Sequence, residues 1–178
     1  MKTRERPEGW LQHDKVIVTD NFDKTQSLHD RGLFGTIINQ RLELSLYEAL
    51  YLLEKEKIIV YDKAKKPLSV AGFARKAKEQ VPYFWTRYRV YSDIRSRGYI
   101  TKAALKYGAD FNVYERGTVP GKSHSKWILF AVSADDVFNW RQFSALNRVA
   151  HSVRKKLLIG VVDSQCDVTY YTIKWIKP

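Results

Sequence analysis

The 178-residue sequence contains one cysteine, Cys166, and one methionine. A single thiol excludes an intrachain disulfide and any zinc site built on several cysteines. No apolar run approaches the length of about 20 residues that spans a bilayer. The opening segment, Met1-Lys-Thr-Arg-Glu-Arg-Pro, lacks the apolar stretch of a secretory signal. The expectation is a cytoplasmic chain with no membrane partner. Also missing are a Gly-rich phosphate loop of the P-loop or dinucleotide type, a His-x-x-x-His or paired-Asp metal pattern, and Gly-x-Ser-x-Gly. No cofactor and no metal is expected, and there is no internal repeat or low-complexity segment.

What the chain has in excess is positive charge: 31 Lys and Arg against 19 Asp and Glu, a formal net charge of +12. An excess of that size attracts polyanions such as nucleic acid or an acidic membrane surface, without saying which. With 44% hydrophobic residues the chain can bury a sizeable core, in one medium domain or two small ones.

Val81-Pro82 divides it, because the composition changes there to an aromatic and arginine-rich run and proline disfavours helix in the residue before it. Residues 1–82 read as a small N-terminal mixed helix and sheet domain serving as scaffold and partner surface. Lys15-Val-Ile-Val-Thr and Ile58-Ile-Val-Tyr are strands, and 21–40, with little periodicity, reads as loops and short strands. Ser45 with Glu48 three residues on is a capping-box signature opening a helix, and Ser69 caps a second helix to about Glu79.

Residues 83–178 read as a C-terminal α/β (α+β) domain around a central mixed sheet. Phe84, Tyr88, Tyr91 and Ile94 recur at helical spacing before Gly98, which favours a core-facing aromatic stripe over a base-stacking surface. Short strands are expected at 99–102, 110–114 and 123–132. A helix carries Phe143, Leu146, Ala150 and Val153, and a final hairpin joins 157–162 to 168–176 through an acidic turn. Arg154-Lys155-Lys156 reads as the basic end of that helix, compensating its dipole or aiming a cation at a phosphate. In this half Tyr114, His124 and Lys155 are the residues that can carry chemistry together, although a Tyr ending a strand and a His in a loop also have ordinary structural roles.

Four motifs then carry a resemblance: Tyr91-Ser-Asp-Ile-Arg-Ser-Arg-Gly-Tyr-Ile, Lys106-Tyr-Gly-Ala-Asp-Phe-Asn-Val-Tyr-Glu-Arg-Gly, His124-Ser, and Arg148-Val-Ala-His-Ser-Val-Arg-Lys-Lys. In that order they closely resemble the archaeal tRNA-splicing endonuclease family, and Leu44-Ser-Leu-Tyr-Glu-Ala-Leu-Tyr-Leu extends the resemblance more weakly toward the N-terminus. The resemblance implies metal-independent cleavage of precursor tRNA at the two bulges of a bulge-helix-bulge, leaving a 2′,3′-cyclic phosphate and a 5′-hydroxyl. It assigns catalysis to Tyr114, His124 and Lys155. It implies base stacking by Arg148, reasoned to share a helix face with Lys155, with Trp175 standing where the family has a second flat cation. It further implies docking of the acidic turn, through Asp163 and Asp167, on another subunit. The expected partners are precursor tRNA and other subunits, as a dimer or tetramer of this chain or a heterotetramer with a structural subunit. Two alternatives stand beside this reading. One is a metal-dependent nuclease or resolvase, with Asp110 and Glu115 as the nearest carboxylates; the other is a non-catalytic RNA-binding subunit.

Overall fold

The computed structural model describes residues 6–104 and 108–176. The opening segment Met1 to Glu5, and Lys106 and Tyr107 of the second motif, lie outside the described residues. The chain forms two compact units, Met1–Phe84 and Trp85–Pro178. Both are mixed α/β, as the pattern of elements predicts.

In the first unit the elements run β1 (Glu8–Leu11), β2 (Lys15–Val18), α1 (Phe22–Gly32), β3 (Thr36–Ile38), β4 (Arg41–Ser45), α2 (Leu46–Glu54), β5 (Ile59–Tyr61) and α3 (Val70–Gln80). The strands form one sheet in the order β3-β4-β2-β1-β5, antiparallel except where β1 runs parallel to β5. Val16, Val18, Leu42, Leu44, Leu50 and Val60 make its core. Three elements depart from the sequence expectation. β1 and β4 are strands that the sequence reading does not contain, and 21–40 holds a full helix, α1, where it expects loops and short strands. Thr25 is the only fully buried residue of α1, so no apolar stripe marks it; its signal is Asn21, whose side chain accepts the Asp23 N–H at 2.9 Å.

Glu48 is the hub of this unit. Its Oε2 accepts from the Ser45 N–H and hydroxyl, both at 2.9 Å, closing the capping box on α2. Its Oε1 accepts the Gly35 N–H at 2.8 Å, so one buried carboxylate ties the α2 N-terminus to the start of β3. Ser69 caps α3 by accepting from the Gly72 N–H at 3.1 Å.

The second unit runs α4 (Phe84–Ser96), β6 (Ile100–Ala103), β7 (Phe111–Tyr114), β8 (Trp127–Ser133), α5 (Trp140–Ser152), β9 (Lys156–Val162) and β10 (Val168–Ile173). Its sheet has the order β10-β9-β8-β7-β6, with β8 and β9 parallel and the other pairs antiparallel. The final strand stops at Ile173, so Trp175 and Ile176 lie beyond the strand expected to contain them. Helices cover both faces of the sheet. Ala150 of α5, with Leu146, Val149 and Val153, packs on Ile128, Phe130, Leu157 and Ile159. On the other face Tyr91 of α4 meets Phe111 with ring centroids 5.6 Å apart. Val90 approaches so closely that a Cβ on Gly160 would lie 2.9 Å from its methyl. The stripe Phe84, Tyr88, Tyr91, Ile94 is buried, as its helical spacing predicts. Tyr170 of β10 donates to Asp93 at 2.8 Å; burial foremost, and then Asp93, push its phenol far above its ordinary pKa, so it stays a donor. No helix among the described residues is long and apolar enough to cross a membrane.

Replacing Glu48 by Ala is expected to lower the unfolding free energy by about 2–3 kcal/mol, since it removes a cap and strands a buried N–H. Urea denaturation reads this directly; a loss below about 0.5 kcal/mol would show that water replaces the carboxylate.

Candidate active site

The site is built by the way α5 ends. Its last helical residue is Ser152, and Arg154 turns into the left-handed region at φ 54°. The Arg154 N–H reaches the His151 carbonyl at 3.0 Å and the Lys155 N–H the Ala150 carbonyl at 2.9 Å, the pair of bonds that defines a Schellman motif, with arginine where glycine is usual. Lys156 then enters β9, its N–H bonded to the Lys126 carbonyl at 3.0 Å. This corrects the reading of Arg154-Lys155-Lys156 as a helix end: the last turn of α5 carries only His151 as a basic residue. Lys155 therefore does not share a helix face with Arg148. The physical reason is the parallel pairing of β9 with β8, which needs extended backbone from Lys156 onward.

Lys155 is half-buried. Its ammonium donates to the Ser125 carbonyl at 3.3 Å and to the Ser125 hydroxyl. The Ser125 hydroxyl lies 3.1 Å from Asn112 Oδ1, and Asn112 Nδ2 lies 3.5 Å from the Ala103 carbonyl. Desolvation by burial lowers the Lys155 pKa from its ordinary 10.5.

Tyr114 closes β7, two residues and therefore one side-chain repeat beyond Asn112, so both point to the α5 face of the sheet. His124 is exposed in the segment leading into β8, next to buried Ser125. The turn before it is held by Ser123 N–H to Val119 carbonyl at 3.0 Å and passes Gly121 at φ 92°, a conformation that suits glycine. The register of Val113 with Trp127, and of Trp127 with Lys156, sets the end of β7, the entry to β8 and the entry to β9 side by side. Tyr114, His124 and Lys155 thus come from adjacent segments at one end of the sheet.

Of the other sequence candidates, Arg148 is exposed on α5. Trp175 is 55% exposed and meets His151, one turn from Arg148, edge-to-face at 4.5 Å between ring centroids. Asp163 and Asp167 lie in the β9–β10 turn, but they are not equivalent. Asp163 Oδ1 accepts the Gln165 and Asp167 N–H groups, both at 2.9 Å, and so shapes the turn, whereas Asp167 projects as an exposed residue. The carboxylates of the metal alternative are engaged elsewhere. Asp110 pairs with Arg87 at 2.6 Å and accepts the Ala131 N–H at 2.8 Å, with burial pushing its pKa up; Glu115 pairs with Lys126. Among the described residues no group of three or more His, Cys, Asp and Glu could hold a metal ion. The sequence reading missed Ser125 and Asn112. Their signal was faint: a serine directly before an apolar strand, and a polar residue between Phe111 and Val113.

The charge is unevenly divided. Residues 85–178 hold 16 of the 31 Lys and Arg but only 7 of the 19 Asp and Glu, a net +9 of the total +12.

Sheets, helices and site define a two-domain mixed α/β protein whose second domain is the basic, chemically equipped one. The family model of the tRNA intron endonuclease catalytic C-terminal domain matches residues 84–170, and that of the tRNA intron endonuclease N-terminal domain matches residues 8–74. The tRNA-splicing endonuclease of Methanothermobacter thermautotrophicus is 40% identical over 173 residues, covering 97% of this chain and 99% of the relative. That of Thermococcus kodakarensis is 38% identical over 168 residues, 94% of this chain and 97% of the relative. That of Nanoarchaeum equitans is 42% identical over 153 residues, 82% of this chain and 97% of the relative. The chain belongs to the tRNA-splicing endonuclease family, a family of endoribonucleases (tRNA-intron lyases).

The left-handed arginine makes a stability test. Arg154→Gly is expected to raise the unfolding free energy by about 0.5–1 kcal/mol, the relief of αL strain less the added freedom of glycine in the unfolded chain. A urea midpoint that falls instead would mean that the Arg154 side chain contributes more than the strain costs.

Proposed function

We propose that this chain cleaves precursor tRNA in the cytoplasm, at the intron–exon junctions of a bulge-helix-bulge, without a metal ion. The observation that carries the reading is the convergence of a phenol, an imidazole and a half-buried ammonium on adjacent segments at one end of the sheet. The ribose 2′-hydroxyl at the cut gives its proton to the Tyr114 phenolate as its oxygen bonds to the adjacent phosphorus. The bond from phosphorus to the 5′-oxygen breaks, and the imidazolium of His124 protonates that leaving oxygen. The products are a 2′,3′-cyclic phosphate and a 5′-hydroxyl. Lys155 faces the charge that builds on the phosphorane. A phenol, with an ordinary pKa of about 10, needs a cation nearby to act as a base at neutrality, and Lys155 supplies one. An imidazole, with an ordinary pKa of about 6.5, suits the acid role.

Arg148 is assigned to a bulged base, on which its guanidinium can stack, with Trp175 beside the same stretch of α5 as a second flat surface. Shape recognition of this kind is how proteins commonly select RNA. Tyr171, exposed on edge strand β10, and Asp167 in the neighbouring turn are assigned to subunit assembly: the edge pairs with a second copy and the turn docks on a basic surface.

Tyr114→Phe, His124→Ala and Lys155→Ala are each expected to slow single-turnover cleavage by about 10²–10⁴-fold without unfolding the protein. Wild-type cleavage should persist in excess EDTA and stop on a substrate with a 2′-deoxy sugar at the cut. Loss in EDTA with rescue by Mg²⁺, or cutting of the deoxy substrate, would favour the carboxylate–metal alternative.

Because Asp163 shapes its own turn, Asp167→Lys is the cleaner assembly variant. It is expected to shift light-scattering mass toward a smaller species, and an unchanged mass would remove Asp167 from the interface.

A further inference from the structure

We infer that Ser125 and Asn112 are positioning residues for Lys155, acting as a hydrogen-bonded chain of neutral groups that aims its ammonium while leaving its charge uncompensated. The inference rests on the reading of Lys155 as the stabiliser of the phosphorane. It adds two residues to which no role has been given.

The donors and acceptors fix the direction of the chain. An ammonium has three N–H donors and no acceptor, so Lys155 must donate to both Ser125 oxygens, the carbonyl at 3.3 Å and the hydroxyl. With its lone pair so used, the Ser125 O–H donates to Asn112 Oδ1 at 3.1 Å. That sets the amide of Asn112 with its Nδ2 toward the Ala103 carbonyl of β6 at 3.5 Å. The chain thus crosses the entries to β9 and β8, then β7, and ends on the backbone of β6. Ser125 is only 5% exposed, so its hydroxyl is not exchanging freely with water for these partners.

Two consequences follow for chemistry. Two of the three ammonium donors are spent on Ser125, which leaves one directed N–H for a phosphate oxygen. Every acceptor in the chain is uncharged, so the lysine keeps its full positive charge for the transition state; a carboxylate in the same place would neutralise it. The lowered pKa of Lys155, caused by burial, agrees with an ammonium held by neutral oxygens alone.

The groups that titrate around Lys155 are Tyr114 at the end of β7, His124 before β8 and His151 on α5. Glu115 is paired with Lys126, and Arg154 and Lys156 flank the lysine in the chain. A carboxylate at 112 also acts on Tyr114, which shares its face of β7, and on His124, so the Asn112→Asp limb is read beside Asn112→Asp in a Lys155→Arg background, where a shift that comes from Tyr114 or His124 persists and one that comes from the lysine is lost.

The test is single-turnover cleavage of a bulge-helix-bulge RNA by the full chain across the pH range, with RNA affinity measured in parallel. Ser125→Ala is expected to slow the cleavage step by about tenfold to a hundredfold with affinity within about threefold of wild type, as for a misaimed catalytic group. Ser125→Thr, which keeps the hydroxyl, is expected to recover most of the rate. Asn112→Asp puts a carboxylate behind Ser125; it is expected to slow cleavage and to move the alkaline limb to higher pH, because it raises the Lys155 pKa. Wild-type cleavage by Ser125→Ala, a folded Ser125→Thr as slow as Ser125→Ala, or an Asn112→Asp limb that does not move would each overturn the inference. Should Ser125→Ala not fold, the Asn112→Asp limb decides. Lys155→Ala in the same series separates the two levels. Wild-type cleavage there removes the underlying mechanism, whereas slow Lys155→Ala beside fast Ser125→Ala removes only the positioning chain.

Discussion

The second domain depends on one pairing, the parallel ladder between β8 and β9. It runs from Trp127 opposite Lys156 to Ser133 opposite Val162, and its two strands are joined through α5. Side chains alternate along a strand, so a slip of one residue would exchange Leu157 with Leu158 and turn Lys155 to the other face. The register is held because both faces are buried: Leu157 and Ile159 under α5, Gly160 under Val90 of α4. A parallel pair also needs a crossover connection, and here the end of that crossover is where the ammonium sits.

The turn that delivers Lys155 carries strain. An arginine at φ 54° occupies a region that costs an ordinary residue about 1–2 kcal/mol, and it is held there by the two Schellman bonds on one side and the ladder on the other. The half-buried lysine carries a second cost, since desolvation opposes its charge. Both costs fall in the turn that delivers Lys155, although left-handed backbone is not confined to it: Leu33, Asn39, Gln40, Glu56, Lys65 and Tyr83 of the first unit have φ between 49° and 62°. Charge is divided unevenly between the units. The catalytic domain holds most of the excess cation, which raises the local concentration of a polyanionic substrate where it is cut.

Much of this was legible in the chain. The capping box at Ser45 and Glu48, the cap at Ser69 and the buried stripe Phe84, Tyr88, Tyr91, Ile94 all follow from residues a few positions apart. α1 escaped because a helix that buries little beyond Thr25 has no period to read. The basic run 154–156 was misassigned for a related reason: cations suit a helix C-terminus in general, but nothing local announces that Arg154 will turn left-handed and Lys156 will join a strand. The carboxylates Asp110 and Glu115 could be named from sequence, but not the partners Arg87 and Lys126 that engage them.

The sequence by itself determined the basic charge, the two-domain mixed α/β organisation and the family motifs that make Tyr114, His124 and Lys155 the candidates, because composition, period, capping and motif are written in neighbouring residues. The tertiary structure alone decided that those three come from adjacent segments at one end of a sheet, that Lys155 lies off the helix carrying Arg148, and that Ser125 and Asn112 stand behind it. Strand register joins residues thirty or more positions apart, such as Ser125 and Lys155, and it is chosen by which faces the two helices bury. No short window of sequence carries that information.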